Sequence, residues 1–297
     1  MLDWNDLRFF LELARHGKLV QAAARLHVDH TTVSRRINAL EEQLEVRLFD
    51  RSPRGYQLTD AGVRLVPYAE KMESSANLVH QDIAGKDSQL SGTVRVATPE
   101  ALGSQVIAQH IHEFRREHPG IEIELVAETR RASLSKREAD IAIRLSRPQT
   151  GRLVAWKLCD YRIRLYASRQ YLLRHKVIES VADLEQHQFV SYIDDLVEMR
   201  ELRYLEDTIK NPKVVFRSSN VIAQFNAIQQ GVGLGMVHCF MAERESNLDV
   251  VLADEIGVDR SYWLLVHEDL RHVARVEAVC DFLTRMLRVN RRLMMGE

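Results

Sequence analysis

Cysteine is scarce in this 297-residue chain: Cys159, Cys239 and Cys280 stand far apart and form no C-x-x-C. That spacing offers neither a disulfide framework nor a zinc knuckle, so the three read as reduced thiols, mostly small core residues. Neither sign of charge dominates, with 41 Lys/Arg, 42 Asp/Glu and a formal net charge of −1. Bulk electrostatics therefore neither require nor exclude a polyanionic partner. No apolar run approaches the ~18 residues of a membrane span. The acidic start MLDWNDLRFF lacks the basic and apolar regions of a secretory signal. A cytoplasmic protein with no membrane partner is expected. Catalytic signatures are missing as well: there is no G-x-S-x-G elbow, no H-E-x-x-H and no P-loop. GVGLG at 231–235 follows a helical pattern and precedes a strand, the reverse of a dinucleotide fingerprint. His110 and His112 are two apart on a predicted helix, hence on different faces and poor metal partners. No enzyme, metal site or cofactor is expected.

The chain does have the length for about two domains and, at 45% hydrophobic residues, the material for sizeable cores. Leu7, Phe10, Leu11 and Ala14 recur at helical spacing and are closed by Gly17 as a C-terminal cap. A short alanine-rich second helix follows, with Leu26 and Val28 as core anchors, and Asp29 is placed to cap a third. In that third helix Val33, Ile37, Leu40 and Leu44 are spaced four, three and four, one buried stripe. Thr31, Arg35 and Asn38 fall near the opposite side, His30, Thr32 and Ser34 on the flanks, and Arg36 is counted with the polar set.

Two helices joined by a tight turn make a helix-turn-helix, whose second helix can enter a DNA major groove by its N-terminus. Small hydroxyls permit close approach, Arg35 can bond guanine bidentately, and the positive helix end favours phosphate. A solvated polar face would carry the same pattern. Local charge does not decide, since residues 1–60 hold nine Lys/Arg and nine Asp/Glu. The argument rests on placement. After this helix, Val46 and Leu48 precede an SPRG turn and Tyr56 and Leu58 follow it, a β-hairpin wing that carries Arg51 and Arg54.

Thr59 can cap a long fourth helix reaching to about residue 85, bent by Pro67. Leu65, Ala69, Met72, Ala76, Val79 and Ile83 alternate at four and three, a heptad seam suited to a second copy of the helix. A Gly- and Ser-rich linker, GKDSQLSG, leads into a region of alternating strand and helix patterns, which predicts an α/β architecture with a mainly parallel sheet.

The segment DLRFFLELARHGKLVQAAARLHVDHTTVSRRINALEEQLEVRLFDRSPRGYQLTDAG resembles the N-terminal domain of the LysR-type transcriptional regulators, and the likeness extends over essentially the whole chain. The resemblance implies a winged helix-turn-helix, a long dimerising linker helix and a two-lobed effector domain like a periplasmic binding protein. The expected division is 1–59 for the DNA-binding domain, with the helix-turn-helix at about 18–38, 60–88 for the linker helix and hinge, and 89–297 for the effector domain. Lobe one would take about 93–162 and 265–297, lobe two about 163–264. By position, the recognition contacts fall on His30, Thr31, Thr32, Ser34 and Arg35. Lys18 and Val20 stand where the family often has hydroxyl residues, so Lys18 would meet phosphate as a less directional partner. Double-stranded DNA, a homodimer or homotetramer, RNA polymerase and a small-molecule effector are the implied partners.

Binding-protein-like folds hold small molecules near strand ends and helix starts. Here those junctions carry Thr98, Pro99 and Glu100 in one lobe and Ser218, Ser219 and Asn220 in the other, with Arg144 closing a neighbouring strand. Together they suit a carboxylate or another anion. Plain N-capping by the hydroxyls and an ion pair for Arg144 explain the same residues, and Glu100 would repel an anion unless paired or turned away.

Overall fold

The structure is a computed structural model that describes residues 3–52, 55–83, 90–128, 139–148, 152–197 and 199–297. It divides into two compact units, one holding the helix-turn-helix region and the long fourth helix, the other holding every later element.

The first unit comprises α1 (Trp4–His16), α2 (Leu19–Leu26), α3 (His30–Leu44), β1 (Phe49–Ser52), β2 (Gly55–Leu58) and α4 (Asp60–Ile83). α1 starts where Asp3 accepts from the Asn5 N–H at 2.9 Å and stops at Gly17, whose φ of 66° suits the left-handed cap. Leu7, Phe10, Leu11 and Leu13 pack on Ala22 and Ala23 of α2, on Val33, Ile37 and Leu40 of α3, and on Leu48, Phe49 and Ala69. Each large side chain so buried contributes roughly 1.5–3 kcal/mol before entropy is counted.

Four local expectations fail here. Asp29 occupies the N-cap position of α3, but its side chain makes no capping bond and sits 3.3 Å from the His30 ring instead. Val28 is exposed, and the two alanines provide the close α2 contact, because their small side chains let the helices approach. The hairpin begins at Phe49, so Val46 lies outside it and exposed. The heptad seam divides: Leu65 and Ala69 pack into this unit's own core, while Met72 and Ala76 are exposed. A seam serving a partner helix throughout would have left Ala69 open, whereas it is fully buried. α4 runs unbroken through Pro67. The side chains of Val79 and Ile83, and Arg54 of the wing, fall outside the described residues.

The second unit contains β3 (Gly92–Thr98), α5 (Glu100–Leu102), α6 (Ala108–Glu117), β4 (Ile121–Ala127), β5 (Ile141–Arg144), β6 (Leu153–Ser168), α7 (Arg169–Arg174), β7 (Gln188–Ser191), α8 (Tyr204–Thr208), β8 (Lys213–Arg217), α9 (Val221–Gln229), β9 (Gly235–His238), α10 (Cys239–Ala242), β10 (Leu248–Val250), β11 (Gly257–His267), α11 (Ala274–Val289) and α12 (Arg291–Met295). One sheet runs β10-β6-β11-β5-β3-β4 with β9 also on β6, and β7 pairs β8 separately. Among the described residues, only β3 with β4 and β3 with β5 are parallel pairs in the large sheet; β6 and β11 pair antiparallel from Leu153↔His267 to Gly257↔Arg164. The expectation of a mainly parallel sheet is therefore corrected to a mixed one. Hydrophobic period reports which face is buried and carries no information on strand direction.

The 16-residue β6 is the backbone of this unit. Its first part pairs with β11, which in turn pairs with β5, and its end carries β9 and β10, so β6 and β11 connect the two lobes. A bulge between Tyr262 and Trp263 interrupts their register, a feature that locally bends and twists a strand pair. The core gathers Val94, Val96, Phe114, Ile141, Tyr161, Ile163, Leu264 and Phe282. The closing helical stretch breaks at Asn290 into α11 and α12; the Asn290 side-chain amide donates to the Met286 carbonyl at 2.9 Å, beside the backbone N–H of the same residue at 3.1 Å.

All three cysteines are free thiols. Burial pushes Cys159 and Cys280 up to about 12, so they stay protonated and poorly nucleophilic at neutral pH.

Candidate nucleic-acid interface and ligand cleft

Turning α3 so that Val33, Ile37 and Leu40 are buried presents His30, Thr31 and Arg35 to solvent, with Thr32, Ser34 and Asn38 half-buried beside them. The exposed ridge begins at the positive end of a 15-residue helix, where anions are favoured. Lys18 stands at the start of α2, exposed and without a side-chain capping bond, which leaves its ammonium available to solvent.

Arg36 belongs elsewhere. Three residues after Val33, it lies on the flank facing α1, where Nη1 bonds Asp6 at 3.1 Å and the guanidinium lies 5.9 Å from the Phe9 ring centre. Its expected place among exposed DNA-facing groups is corrected to a helix-to-helix tie.

The wing is held by contacts that sequence pattern did not reveal. Arg51 donates to the Asn38 side-chain oxygen and lies 5.6 Å from the Tyr56 ring centre. Glu41 accepts from the backbone N–H groups of Leu48 and Phe49 at 2.7 and 3.1 Å, fixing the exit from α3. A carboxylate in the last turn of a helix opposes the dipole, which was the available hint that it serves a local bond. The Tyr56 N–H donates to the Gly17 carbonyl at 2.8 Å. Gly55 presses on the same atom: its φ is 126°, and a Cβ there would lie 2.4 Å from that oxygen. At the same end of α1, Arg15 forms a two-pronged bond with Glu73 of α4 at 2.7 and 3.3 Å and a further one with Glu12, all largely buried.

In the second unit, Thr98, Pro99 and Arg144 line one cleft with Ala97, Val126, Glu128, Ile143, Leu145 and Met199. Only about 20 Å³ is open inside it, room for a single water. Gly103 allows the wall to close, since a Cβ there would meet Thr98 and Ala127 at 2.6 and 2.9 Å. Thr98 is buried and its hydroxyl donates to the Pro99 carbonyl at 3.3 Å rather than capping a helix. Ser218, Ser219 and Asn220 are not among the cleft's described walls. Asn220 caps α9 by accepting from the Ala223 N–H at 2.7 Å, Ser218 accepts from the Asn220 N–H at 3.1 Å, and Ser219 is exposed. Glu100 does join this group. It accepts a hydrogen bond from the Asn220 side-chain amide and another from the Val221 N–H at 3.2 Å, and burial raises its carboxyl above the usual range despite those two bonds.

Elsewhere in the core of this unit, Tyr161, Tyr262 and His238 form a stacked, buried group, with ring centres 4.1 Å apart for the tyrosines and 5.5 Å for Tyr161 and His238. The Tyr262 hydroxyl and His238 Nδ1 are buried without a hydrogen-bond partner among the described residues. Desolvation lowers His238 to about 4. No group of three His, Cys, Asp or Glu suited to a metal ion occurs among the described residues.

Residues 4–63 match the bacterial regulatory helix-turn-helix proteins of the lysR family, and residues 87–288 match the LysR substrate binding domain. An HTH-type transcriptional regulator of Xanthomonas campestris pv. campestris is 30% identical over 173 residues, 58% of this chain and 50% of that protein. The chain spans between 50% and 60% of the length of the curated relatives it first matches. A full-length OxyR variant from Pseudomonas aeruginosa superposes with a TM-score of 0.75 at 18% identity, over 95% of each chain. CrgA from Neisseria meningitidis superposes with a TM-score of 0.60 at 24% identity, over 97% of this chain and 99% of that one.

Proposed function

The chain belongs to the LysR-type transcriptional regulators, and on that footing we propose that it is a sequence-specific DNA-binding regulator set by a small molecule taken up in its C-terminal unit. The observation that carries this reading is the division of α3 into a buried stripe and an exposed ridge of His30, Thr31 and Arg35 at its leading end. In a major groove those side chains, with Thr32 and Ser34, meet base edges, while Lys18, Arg51 and Arg54 meet phosphates. Asn38 serves as the anchor of Arg51.

Two copies would join along the outer part of α4, where Tyr68, Met72 and Ala76 are exposed. Two-fold pairing places two α3 helices in half-sites about one helical turn, ~34 Å, apart. A further pairing into a tetramer and contact with RNA polymerase extend the same reading by family likeness. Relatives are named as transcriptional regulators, which favours a non-enzymatic role, and the cytoplasm is the compartment such a role needs. No helix among the described residues is long and apolar enough to cross a membrane.

The effector would bind between the lobes. A cleft with about 20 Å³ open is far below the several hundred Å³ a metabolite needs, so uptake requires the lobes to part. A ligand that prefers the parted form shifts the population toward it and alters the spacing of the DNA-binding units. Nuclease footprinting on DNA flanking the protein's own gene tests the reading. A protected site that survives excess random competitor is expected, and equal binding to every duplex would sink it.

A further inference from the structure

The two faces of the β6–β11 pair differ in how their polar groups are met. Asp259 stands opposite Arg162, Ser261 opposite Asp160, Arg260 opposite Tyr161 and Tyr262 opposite Cys159. Directly opposed side chains share a face, and successive ones alternate. On one face Arg162 clasps Asp259 at 2.6 and 2.8 Å, and the Ser261 hydroxyl donates to Asp160 at 2.6 Å. On the other face Arg260 forms no ion pair among the described residues, and its guanidinium makes only a long bond of 3.4 Å to the Asp259 carbonyl. Beside it the hydroxyls of Tyr161, Tyr262 and Tyr204 of α8 are buried without a hydrogen-bond partner. Tyr161 and Tyr262 are 0% exposed and Tyr204 3%. The Tyr161 and Tyr204 hydroxyls lie near enough to influence each other's ionisation, and Arg260 acts on both, yet none reaches hydrogen-bond geometry. An unmet buried hydroxyl costs stability, so three in one core call for a partner from outside the chain.

We propose that Arg260, with the hydroxyls of Tyr161 and Tyr204, forms a further small-molecule site in the second unit, one that takes a compact carboxylate. A guanidinium offers a planar fork that matches a carboxylate, and phenol O–H groups can serve the lone pairs left over. Burial raises all three phenols, so they stay protonated donors at neutral pH. Arg260 repels a cation, and a neutral acceptor forgoes the charge-assisted bonds. The stacked rings of Tyr161, Tyr262 and His238 supply a flat apolar wall. Arg260 itself is only half-buried and gives the approach from solvent. Glu100 acts on this group through Tyr192, but its carboxylate is already held by Asn220 and Val221. None of the three residues lines the cleft of Thr98 and Arg144.

The full-length protein is titrated with sodium acetate and, separately, with acetamide, its neutral isostere, at constant ionic strength. Binding is read from the saturation-transfer NMR signal of the ligand methyl group. Wild type should bind acetate saturably and acetamide about tenfold more weakly. Arg260→Gln should abolish the acetate titration. Tyr204→Phe should weaken it about tenfold, while its melting temperature without ligand does not fall, because the hydroxyl removed has no partner in the free protein. Acetate that binds no better than acetamide would leave internal water as the partner of the hydroxyls and overturn the proposal. So would wild-type acetate affinity in Arg260→Gln or in Tyr204→Phe. Should circular dichroism show Arg260→Gln unfolded, Arg260→Met is read by the same criteria. The readout involves no DNA, so its failure leaves the DNA-binding reading standing, and failed footprinting leaves this site in place.

Discussion

Arg51 of the wing donates a hydrogen bond to Asn38 of α3, 13 residues earlier in the chain. Recognition helix and wing therefore present one continuous surface. With Glu41 holding the connection and Gly55 pressed on Gly17, three separate contacts set the angle between the helix and the wing. Five consequences can be measured.

Arg35→Ala removes an exposed guanidinium from the ridge without touching the buried stripe. It should relax base preference at one half-site position and cost about 1–3 kcal/mol in DNA affinity. A binding selection on randomised duplexes that returns the wild-type preference would remove Arg35 from the base-reading set.

Gly55→Ala places a Cβ at 2.4 Å from the Gly17 carbonyl oxygen in a backbone conformation that side chains avoid. Unfolding in urea should show a loss of about 1–3 kcal/mol. The Tyr56 environment, followed by NMR, should change with it. An unchanged midpoint would mean that the wing sits away from the α1–α2 turn in solution.

Met72→Asp and Ala69→Asp separate assembly from folding along α4. Met72 is 42% exposed and Ala69 0%. The first variant should sediment as a folded monomer, and the second should lose helicity because an unpaired carboxylate enters the core. Intact oligomers of Met72→Asp would move the contact elsewhere.

Glu73→Ala leaves Arg15 largely buried with Glu12 alone, and removing one partner of such a pair costs about 3–5 kcal/mol. Replacing both, as Arg15→Met with Glu73→Leu, should recover most of it. Chemical denaturation of the three chains decides, and a double variant as weak as the single would show that the ion pair itself is required.

His238 takes up a proton near pH 4 when folded and near 6.5 when unfolded. Between those values the unfolded chain binds more protons, so stability falls as pH drops from 6.5 toward 4. From pH 7.5 to pH 5 this amounts to about 2 kcal/mol. His238→Phe keeps the stacked ring and should remove that part of the pH dependence in urea titrations; an identical slope in both chains would place the acid sensitivity on other groups.

The buried stripe and the free ridge of α3 were legible in the sequence because their signal is local. Val33, Ile37, Leu40 and Leu44 lie within four turns, and a period of 3.6 residues states which side is buried and hence which is free. The same rule misplaced Arg36, where proximity to α1 decided the outcome, and it assigned Ala69 to a partner when the neighbouring α1 already covered it. In both cases two helices competed for one surface, and the sequence of one helix does not state the angle at which another crosses it.

The order of elements, the buried stripe of α3 and the resemblance to a regulator family were thus contained in the chain as written. Tertiary structure alone decided the mixed sheet, the closed cleft, the stacked Tyr161, Tyr262 and His238, and the meeting of Glu100 with Val221. Local pattern reports burial within a few residues, whereas strand direction and the approach of side chains more than a hundred positions apart are set by how whole elements pack.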